Sequence, residues 1–183
     1  MTELMEGVPV RKAVVAVIAA TALVGGCGGE SGSAQPTAER WDPCSIPADA
    51  IERTGLDPHF VKPGLGEGIG LPDWDVCRFQ GPSAAPTYFV NVTSSDIHTI
   101  DDARNNPTYT SGFDLTIGDR DAFRFYTTAT EPGRDCNVAI SVRTGVVVFG
   151  VDFKGGIEPT RDPCDLVLQH AEDLENVLPG NEK

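Results

Sequence analysis

The sequence predicts an α+β domain, in which a mostly antiparallel sheet is packed against helices at both ends of the domain. Three observations predict this fold class. Residues 136–153 alternate between apolar and polar side chains, which is typical of paired strands. Residues 162–178 repeat apolar side chains at helical spacing. Residues 42–44 and 162–164 both read Asp-Pro-Cys, a capping residue and a proline suited to the first turn of a helix.

The first half of the domain predicts short elements separated by turns. After Cys44 a short helix is expected over residues 46–54, ending at Gly55. Residues 57–73 are rich in Pro and Gly and predict a long surface loop. Alternating side chains then predict strands, with one short helix over residues 100–105 that is broken at Pro107. The expected strands are residues 74–80, 87–93, 113–117 and 122–128.

The clearest element is a hairpin formed by residues 136–143 and 146–153. Because Thr144-Gly145 is typical of a tight turn, we expect it at the centre of the hairpin. This register pairs apolar residues on one face of the hairpin. The expected pairs are Val142 with Val147, Ile140 with Phe149, Val138 with Val151, and Cys136 with Phe153.

A terminal helix is predicted from Asp162 to Leu178, ending before Pro179. Val167, Ala171 and Leu174 continue the spacing that ends at Leu178, and they form one apolar stripe. We expect this stripe to pack against the sheet.

The amino-terminal residues predict an exported protein. Arg11 and Lys12 precede an uncharged, mostly apolar segment over residues 13–26. As a helix this segment would span about 21 Å, short of the roughly 30 Å hydrocarbon core of a membrane. Residues 1–26 therefore fit a signal peptide, with Met5 as an alternative start.

The residues that end this segment, Leu23-Val24-Gly25-Gly26-Cys27, resemble the lipobox of bacterial lipoproteins. The resemblance implies lipid attachment to the Cys27 thiol and cleavage before it. The alternative is an ordinary secretory signal followed by a chance cysteine. The expected location is the extracytoplasmic face of the cell membrane, with the membrane as a partner through the lipid on Cys27.

The predicted domain organisation follows from this reading. Residues 27–40 comprise the lipidated cysteine and a flexible tether rich in Gly, Ser and Pro. Residues 41–179 form a single domain, and residues 180–183 a short tail.

Four cysteines remain in the domain, Cys44, Cys77, Cys136 and Cys164. An even number in an exported chain favours disulfides. A zinc site is the competing interpretation, but the sequence has no C-x-x-C pair. Of the three possible connectivities, the shared Asp-Pro-Cys context favours Cys44–Cys77 and Cys136–Cys164, each joining a helix to a strand.

The formal net charge of −13 excludes one class of partner. Nucleic acids need positive side chains to neutralise their phosphates, so no nucleic-acid partner is expected.

The candidate chemical groups are few. His59, His98 and His170 are far apart in sequence, and Asp96-Ile97-His98 is a weak candidate for two metal ligands. Residues 64–70 lack the Gly-Lys-Ser/Thr ending of a phosphate loop. We therefore assign no catalytic residue, metal or cofactor.

Four aromatic residues could either line a binding cleft near the long loop or belong to the core: Trp41, Trp74, Tyr88 and Phe89.

The chain resembles small actinobacterial envelope lipoproteins of an uncharacterised domain family, and is similar to mycobacterial LprB/LprC-like lipoproteins. The resemblance covers residues 41–179 and depends on four cysteines in order, two of them preceded by Pro. Phe79 departs from the Trp usual after the second cysteine and Arg. The matching motifs are Trp41-Asp42-Pro43-Cys44, Cys77-Arg78-Phe79, Asn106-Pro107, Cys136-Asn137-Val138 and Pro163-Cys164. The family implies anchoring outside the membrane, with no assigned activity.

The leading functional hypothesis is a non-catalytic binding or interaction module at the cell envelope, for a small ligand or an envelope protein. The alternatives are an envelope hydrolase with an unrecognised site and a carrier of lipids or glycolipids, which would need a large apolar cavity.

Overall fold

The structure is a computed structural model that describes residues 40–65, 69–82, 84–131 and 133–180. The predicted signal peptide, the lipidated Cys27, most of the tether and residues 181–183 lie outside the described residues. None of the described helices is long and apolar enough to cross a membrane.

The described residues form one seven-stranded antiparallel sheet. The strands lie in the order β1-β2-β3-β7-β6-β5-β4, so that β3 pairs with β7 across a long stretch of sequence. The strands are β1 (Val61–Pro63), β2 (Asp75–Gln80), β3 (Tyr88–Ser95), β4 (Tyr109–Ile117), β5 (Arg120–Thr127), β6 (Asp135–Val142) and β7 (Gly145–Phe153). The helices are α1 (Ala48–Arg53), α2 (Ile100–Arg104) and α3 (Pro163–Leu174), with 3-10 turns at Pro43–Ser45 and Glu175–Val177.

The predicted α+β class, with helices at both ends, is wrong. Of the described helices only α3 exceeds six residues, and the protein is mostly antiparallel sheet. At the amino end of the domain, a 3-10 turn ends at Ser45 and α1 begins only after Pro47. Gly55, with φ +78°, follows the helix closely, so α1 is too short to cover the sheet. At the other end α3 stops at Leu174, and a 3-10 turn occupies the rest of the predicted helix.

Helix α3 covers one side of the sheet, which we call the inner face. Its stripe of Val167, Ala171 and Leu174 is fully buried, as the helical spacing predicts. Alternate residues of the central strands meet this stripe and form the main core. These strand residues include Cys77, Phe79, Val90, Val92, Val138, Ile140, Val147, Phe149 and Val151, each with no exposed surface.

The two disulfides join Cys44 to Cys77 and Cys136 to Cys164, which is the predicted pairing. The first connects the turn before α1 to β2, and the second connects β6 to α3. Both aspartates of the Asp-Pro-Cys motifs cap as predicted, because Asp42 accepts from Cys44 N and Asp162 from Cys164 N.

The predicted hairpin is present, but its register is wrong by two residues. Val142 pairs with Gly145, Ile140 with Val147, and Val138 with Phe149. The turn is therefore centred on Arg143-Thr144. Because strand side chains repeat every two residues, a shift of two keeps the residues of the predicted apolar pairs on the inner face.

The predicted loop over residues 57–73 contains β1, a three-residue edge strand that pairs with β2. The strands expected over residues 113–117 and 122–128 correspond to β4 and β5, and the helix expected over residues 100–105 corresponds to α2. Thr99 and Asp102 form a capping box at the start of α2.

Candidate functional site

The side of the sheet opposite α3, the outer face, carries a row of adjacent residues across its centre, three of which are polar. Register places Arg78 beside Asn91, Asn91 beside Gly150, Gly150 beside Asn137, and Asn137 beside Phe125. These residues come from five different strands. The row exists only because β7 lies between β3 and β6.

Two aromatic pairs rise at the sides of this row. The rings of Trp74 and His98 stack with centroids 5.1 Å apart, and those of Tyr109 and Phe125 with centroids 3.9 Å apart. His98 is held in place because its backbone N–H donates to Ser95 Oγ over 3.1 Å. A small second core lies beneath Tyr109 and α2, and consists of Ile100, Phe123, Phe125, Ala139 and Val146.

Between the aromatic pairs lies a cleft of about 350 Å³. This volume falls in the range of small-ligand pockets, about 300–1,000 Å³. The lining combines the aromatic walls with amides and hydroxyls. It is formed by Leu71, Trp74, Asn91, Thr93, His98, Thr99, Asp102, Ala103, Asn106, Tyr109, Phe125, Thr127, Asn137, Val146, Val148 and Gly150.

Gly150 sets the depth of the cleft floor. A Cβ atom at this position would lie 2.5 Å from Asn137 Oδ1, closer than carbon and oxygen can approach. The glycine therefore leaves room for the Asn137 amide to lie across β7. The Asn137 Nδ2 group donates to Asp135 Oδ2 over 3.0 Å, which fixes the direction of the amide.

Asn91 is fixed in a similar way on the other side of the floor. Its Oδ1 accepts from Arg78 Nε over 3.0 Å, and its Nδ2 donates to Asp152 Oδ2 over 2.6 Å. Both floor amides are thus oriented before any ligand arrives, which lowers the entropic cost of binding.

The carboxylates behind the floor are directly paired across β6 and β7, since Asp135 lies opposite Asp152. Burial, reinforced by the negative charge of Asp135, raises the pKa of Asp152 above its ordinary value. Neutral donors stabilise the negative charge of Asp135, because Thr127 N and Thr127 Oγ1 donate to its Oδ2 over 3.1 and 3.0 Å. Thr130 donates to its other oxygen.

The mouth of the cleft carries the ionisable groups. Hydrogen bonds from the backbone N–H and hydroxyl of Thr99 hold the pKa of Asp102 below its ordinary value. The His98 nitrogens lie 3.8 Å from Asp73 and 3.9 Å from Asp102. Among the described residues that line the cleft, none is Lys or Arg.

The structure separates most of the residues that the sequence singled out. His59 is exposed, and His170 is buried in the main core. Asp96 binds Arg40 over 2.8 Å, so it does not join His98 in a ligand pair. In the part of the chain that the structure describes, no group of three His, Cys, Asp or Glu residues could hold a metal ion.

Of the four aromatic residues left between cleft and core, only Trp74 lines the cleft. Tyr88 belongs to the main core, and Trp41 packs against it half-buried. Phe89 lies on the outer face beyond the floor, where the Arg78 guanidinium and the Lys154 ammonium approach its ring within 5.1 and 4.7 Å.

Sequence reasoning missed Tyr109, Phe125, Asn137 and Gly150 as site residues. The available signal was Asn137 and Gly150 at outward positions of adjacent strands, where a solvated face would more commonly carry Thr, Lys or Glu. Their proximity to Asn91 required the β3–β7 pairing, which sequence order does not indicate.

Comparison with known proteins places the chain in a family. A family model described as "Protein of unknown function (DUF3558)" matches residues 22–176. No curated protein matches the chain. No solved structure matches it either.

Proposed function

We propose that this chain, which belongs to the DUF3558 family of proteins of unknown function, is a lipid-anchored extracytoplasmic protein that binds a small molecule without transforming it. The single observation that carries the binding role is the cleft of about 350 Å³ between the Trp74–His98 and Tyr109–Phe125 pairs. Concave, largely apolar sites with a few oriented polar groups are typical of small-molecule sites.

The anchored, extracytoplasmic part of the proposal is supported by the sequence and by the cysteines. Residues 1–26 fit a signal peptide, and Cys27 follows a lipobox-like segment. All four cysteines of the domain are paired in disulfides, which persist in oxidising compartments. We further propose that the family relationship extends to actinobacterial LprB/LprC-like lipoproteins, as the order of the cysteine motifs suggests.

The chemistry of the lining favours binding over catalysis. Nucleophilic catalysis needs a hydroxyl or thiol beside a free base. The ring nitrogens of His98 face the carboxylates of Asp73 and Asp102 rather than a hydroxyl, and the hydroxyl of Thr99 is engaged in the capping box of α2. The amides of Asn91 and Asn137 do not titrate, so they recognise rather than transfer protons.

Native mass spectrometry of the full chain, isolated from its own membranes without denaturing steps, tests the binding role. Gly150→Val fills the floor, while Gly155→Val is the matched control, because a Cβ at Gly155 meets no atom within 4 Å. We expect a small molecule to remain with the wild type and with Gly155→Val, and to be lost from Gly150→Val. Retention of the same molecule by Gly150→Val would contradict the assignment of the cleft.

The anchor is tested separately by Cys27→Ser. We expect the wild type in the membrane fraction with an acyl-modified amino terminus, and the variant without acyl modification. A wild-type chain that retains Met1 or Met5 would contradict export and anchoring.

A further inference from the structure

We infer that the cleft recognises an uncharged ring compound bearing several hydroxyl groups, that is, a neutral sugar unit. The inference rests on the proposed function and adds the chemical class of the ligand. It follows from the charge of the lining, the arrangement of the aromatic walls and the chemistry of the floor.

The charge of the lining disfavours anionic ligands. The ionisable side chains that line the cleft are Asp102, His98 and Tyr109, and none is a permanent cation. Burial raises the pKa of Tyr109, so its phenol stays neutral. Beyond the floor, Arg78 is engaged by Asn91, and Arg78 and Lys154 both lie against the ring of Phe89. A phosphate or carboxylate would meet no Lys or Arg side chain among the described residues of the lining and would lie near Asp135 and Asp152.

The aromatic walls suit a ring with an apolar face. Trp74 has one ring face covered by His98, and Tyr109 has one covered by Phe125. Each pair braces an aromatic surface at the side of the cleft without fully burying it, since Trp74 and Tyr109 are half-buried. The C–H groups on one face of a sugar ring form a flat apolar surface, which packs on such aromatic planes.

The floor suits hydroxyl groups. Amides present both donors and acceptors, and a sugar hydroxyl likewise donates one hydrogen bond and accepts others. The Nδ2 group of Asn137 donates to Asp135, which leaves Oδ1 above Gly150 as an acceptor. Asn106 accepts from Thr108 through Oδ1 and its amide also hydrogen-bonds Tyr109, so one of the two Nδ2 donors remains for a ligand.

The same floor disfavours a lipid chain. An acyl chain laid on Asn137 and Asn106 would take these amides out of water without replacing their hydrogen bonds. The desolvation penalty of each unsatisfied group offsets much of the gain from burying methylene groups. A hydroxylated ring avoids this cost.

Tryptophan fluorescence tests the inference directly, because the chain has only two tryptophans and one of them lines the cleft. The full mature chain carrying Trp41→Phe, held in phosphatidylcholine vesicles, leaves Trp74 as its single reporter. The probes are the neutral trisaccharides maltotriose, cellotriose and mannotriose. We expect at least one to change the Trp74 emission in a saturable way.

Second variants on this background identify the contacts. Tyr109→Leu removes one aromatic wall and Asn137→Ala removes the floor acceptor, and each should weaken binding about tenfold. Phe113→Leu is the matched control, because Phe113 is an exposed aromatic residue outside the cleft lining. Its affinity should equal that of the parent. Circular dichroism and a count of free thiols confirm that each variant is folded.

The outcomes separate the ligand class from the binding role. Saturable Trp74 quenching by oleic acid or by inorganic phosphate, with none by the trisaccharides, overturns the sugar assignment and leaves the cleft as a binding site. If no probe changes the Trp74 emission and native mass spectrometry finds no retained molecule, both the sugar assignment and the binding role are overturned. An equal loss of affinity in Phe113→Leu and Tyr109→Leu contradicts recognition by the walls.

Discussion

The hydroxyl group of Tyr88 lies 3.1 Å from Nε2 of His170, and this contact joins β3 to α3 inside the main core. His170 is 1% exposed, and its Nδ1 has no hydrogen-bond partner among the described residues. Burial lowers the pKa of His170 to about 4; the Asp173 carboxylate opposes the shift, and Arg161 adds to it.

This buried histidine predicts a specific loss of stability in acid. In the unfolded chain His170 binds a proton below a pKa of about 6.5, whereas in the folded chain it stays neutral down to about 4. Above pH 6.5 His170 is therefore neutral in both the folded and the unfolded chain and does not lower the free energy of unfolding. As the pH falls from 6.5 towards 4, protonation of the unfolded chain lowers this free energy. We expect a loss of about 3 kcal/mol over this interval.

Urea denaturation at pH 7, 6, 5 and 4 checks the assignment. His170→Leu should show a shallower decline than the wild type over this interval, because the variant lacks this titrating group; the lost Tyr88 contact lowers its stability at every pH and does not change the slope. Carboxylates contribute equally to both proteins, so the difference between the two curves belongs to His170. Parallel curves would contradict the prediction.

Gly145 predicts a steric effect at the start of β7. Its φ is +133°, and a Cβ atom there would overlap the carbonyl oxygen of Ser95. Gly145→Ala should therefore lose about 2 kcal/mol or more of stability. Gly155→Ala, which meets no atom within 4 Å, should change stability by less than about 0.5 kcal/mol. Thermal denaturation of the two variants decides between a steric clash and a general cost of replacing glycine.

The same variant should disturb the mouth of the cleft, because Ser95 Oγ accepts from the backbone N–H of His98 over 3.1 Å. A Gly145→Ala protein that denatures like the wild type would show that the hairpin turn tolerates a side chain, against this account.

We expect that removing either disulfide lowers the stability of the protein by a comparable amount. The bridges close loops of 33 and 28 residues, so removing either should cost about 3–4 kcal/mol by chain entropy. Alanine pairs at Cys44/Cys77 and at Cys136/Cys164, compared by guanidinium denaturation, check this. A loss below about 1 kcal/mol for either pair would contradict a structural role for that bridge.

The ion pairs of Arg104 predict that the attachment of α2 to the sheet weakens at high salt concentration. Its guanidinium lies 2.9, 2.8 and 2.7 Å from carboxylate oxygens of Asp101, Asp114 and Asp121, and these contacts raise its pKa. Arg104→Gln should lower the melting temperature, and the difference from the wild type should shrink in 1 M NaCl, where charges are screened beyond about 3 Å.

Arg53→Gln is the control for this prediction, because Arg53 forms one exposed pair with Asp49 on a single helix. Such pairs contribute little to stability. An Arg104→Gln protein that behaves like Arg53→Gln would show that the three carboxylates do not hold α2 in place.

Local features of the fold were predictable, and long-range ones were not. The Asp-Pro-Cys motifs indicated both caps and both disulfides, and the alternation of β6 and β7 indicated which residues are buried. The hairpin register was wrong because Thr144-Gly145 and Arg143-Thr144 place the same residues on the inner face, so hydrophobic pattern alone does not separate them. Strand β1 was missed because three residues ending in Pro63 give no alternation to detect.

The candidate site was beyond reach for a related reason. Trp74 could be singled out as an aromatic residue beside the Gly/Pro-rich loop. Asn91, Asn137 and Gly150 lie on three strands whose adjacency depends on the insertion of β7 beside β3. In sequence these residues resemble ordinary solvent-facing positions.

The central claim is that the outer-face cleft binds a small molecule, and nuclear magnetic resonance of the ¹⁵N-labelled full chain tests it most directly. The two indole N–H signals are assigned with Trp41→Phe, and a small-molecule extract of the producing cells is then added. The account predicts saturable shifts of the Trp74 indole and of the Gly150 and Asn137 amides, while the Trp41 indole stays in place. Shifts confined to residues outside the cleft, or no saturable shift at all, would contradict it.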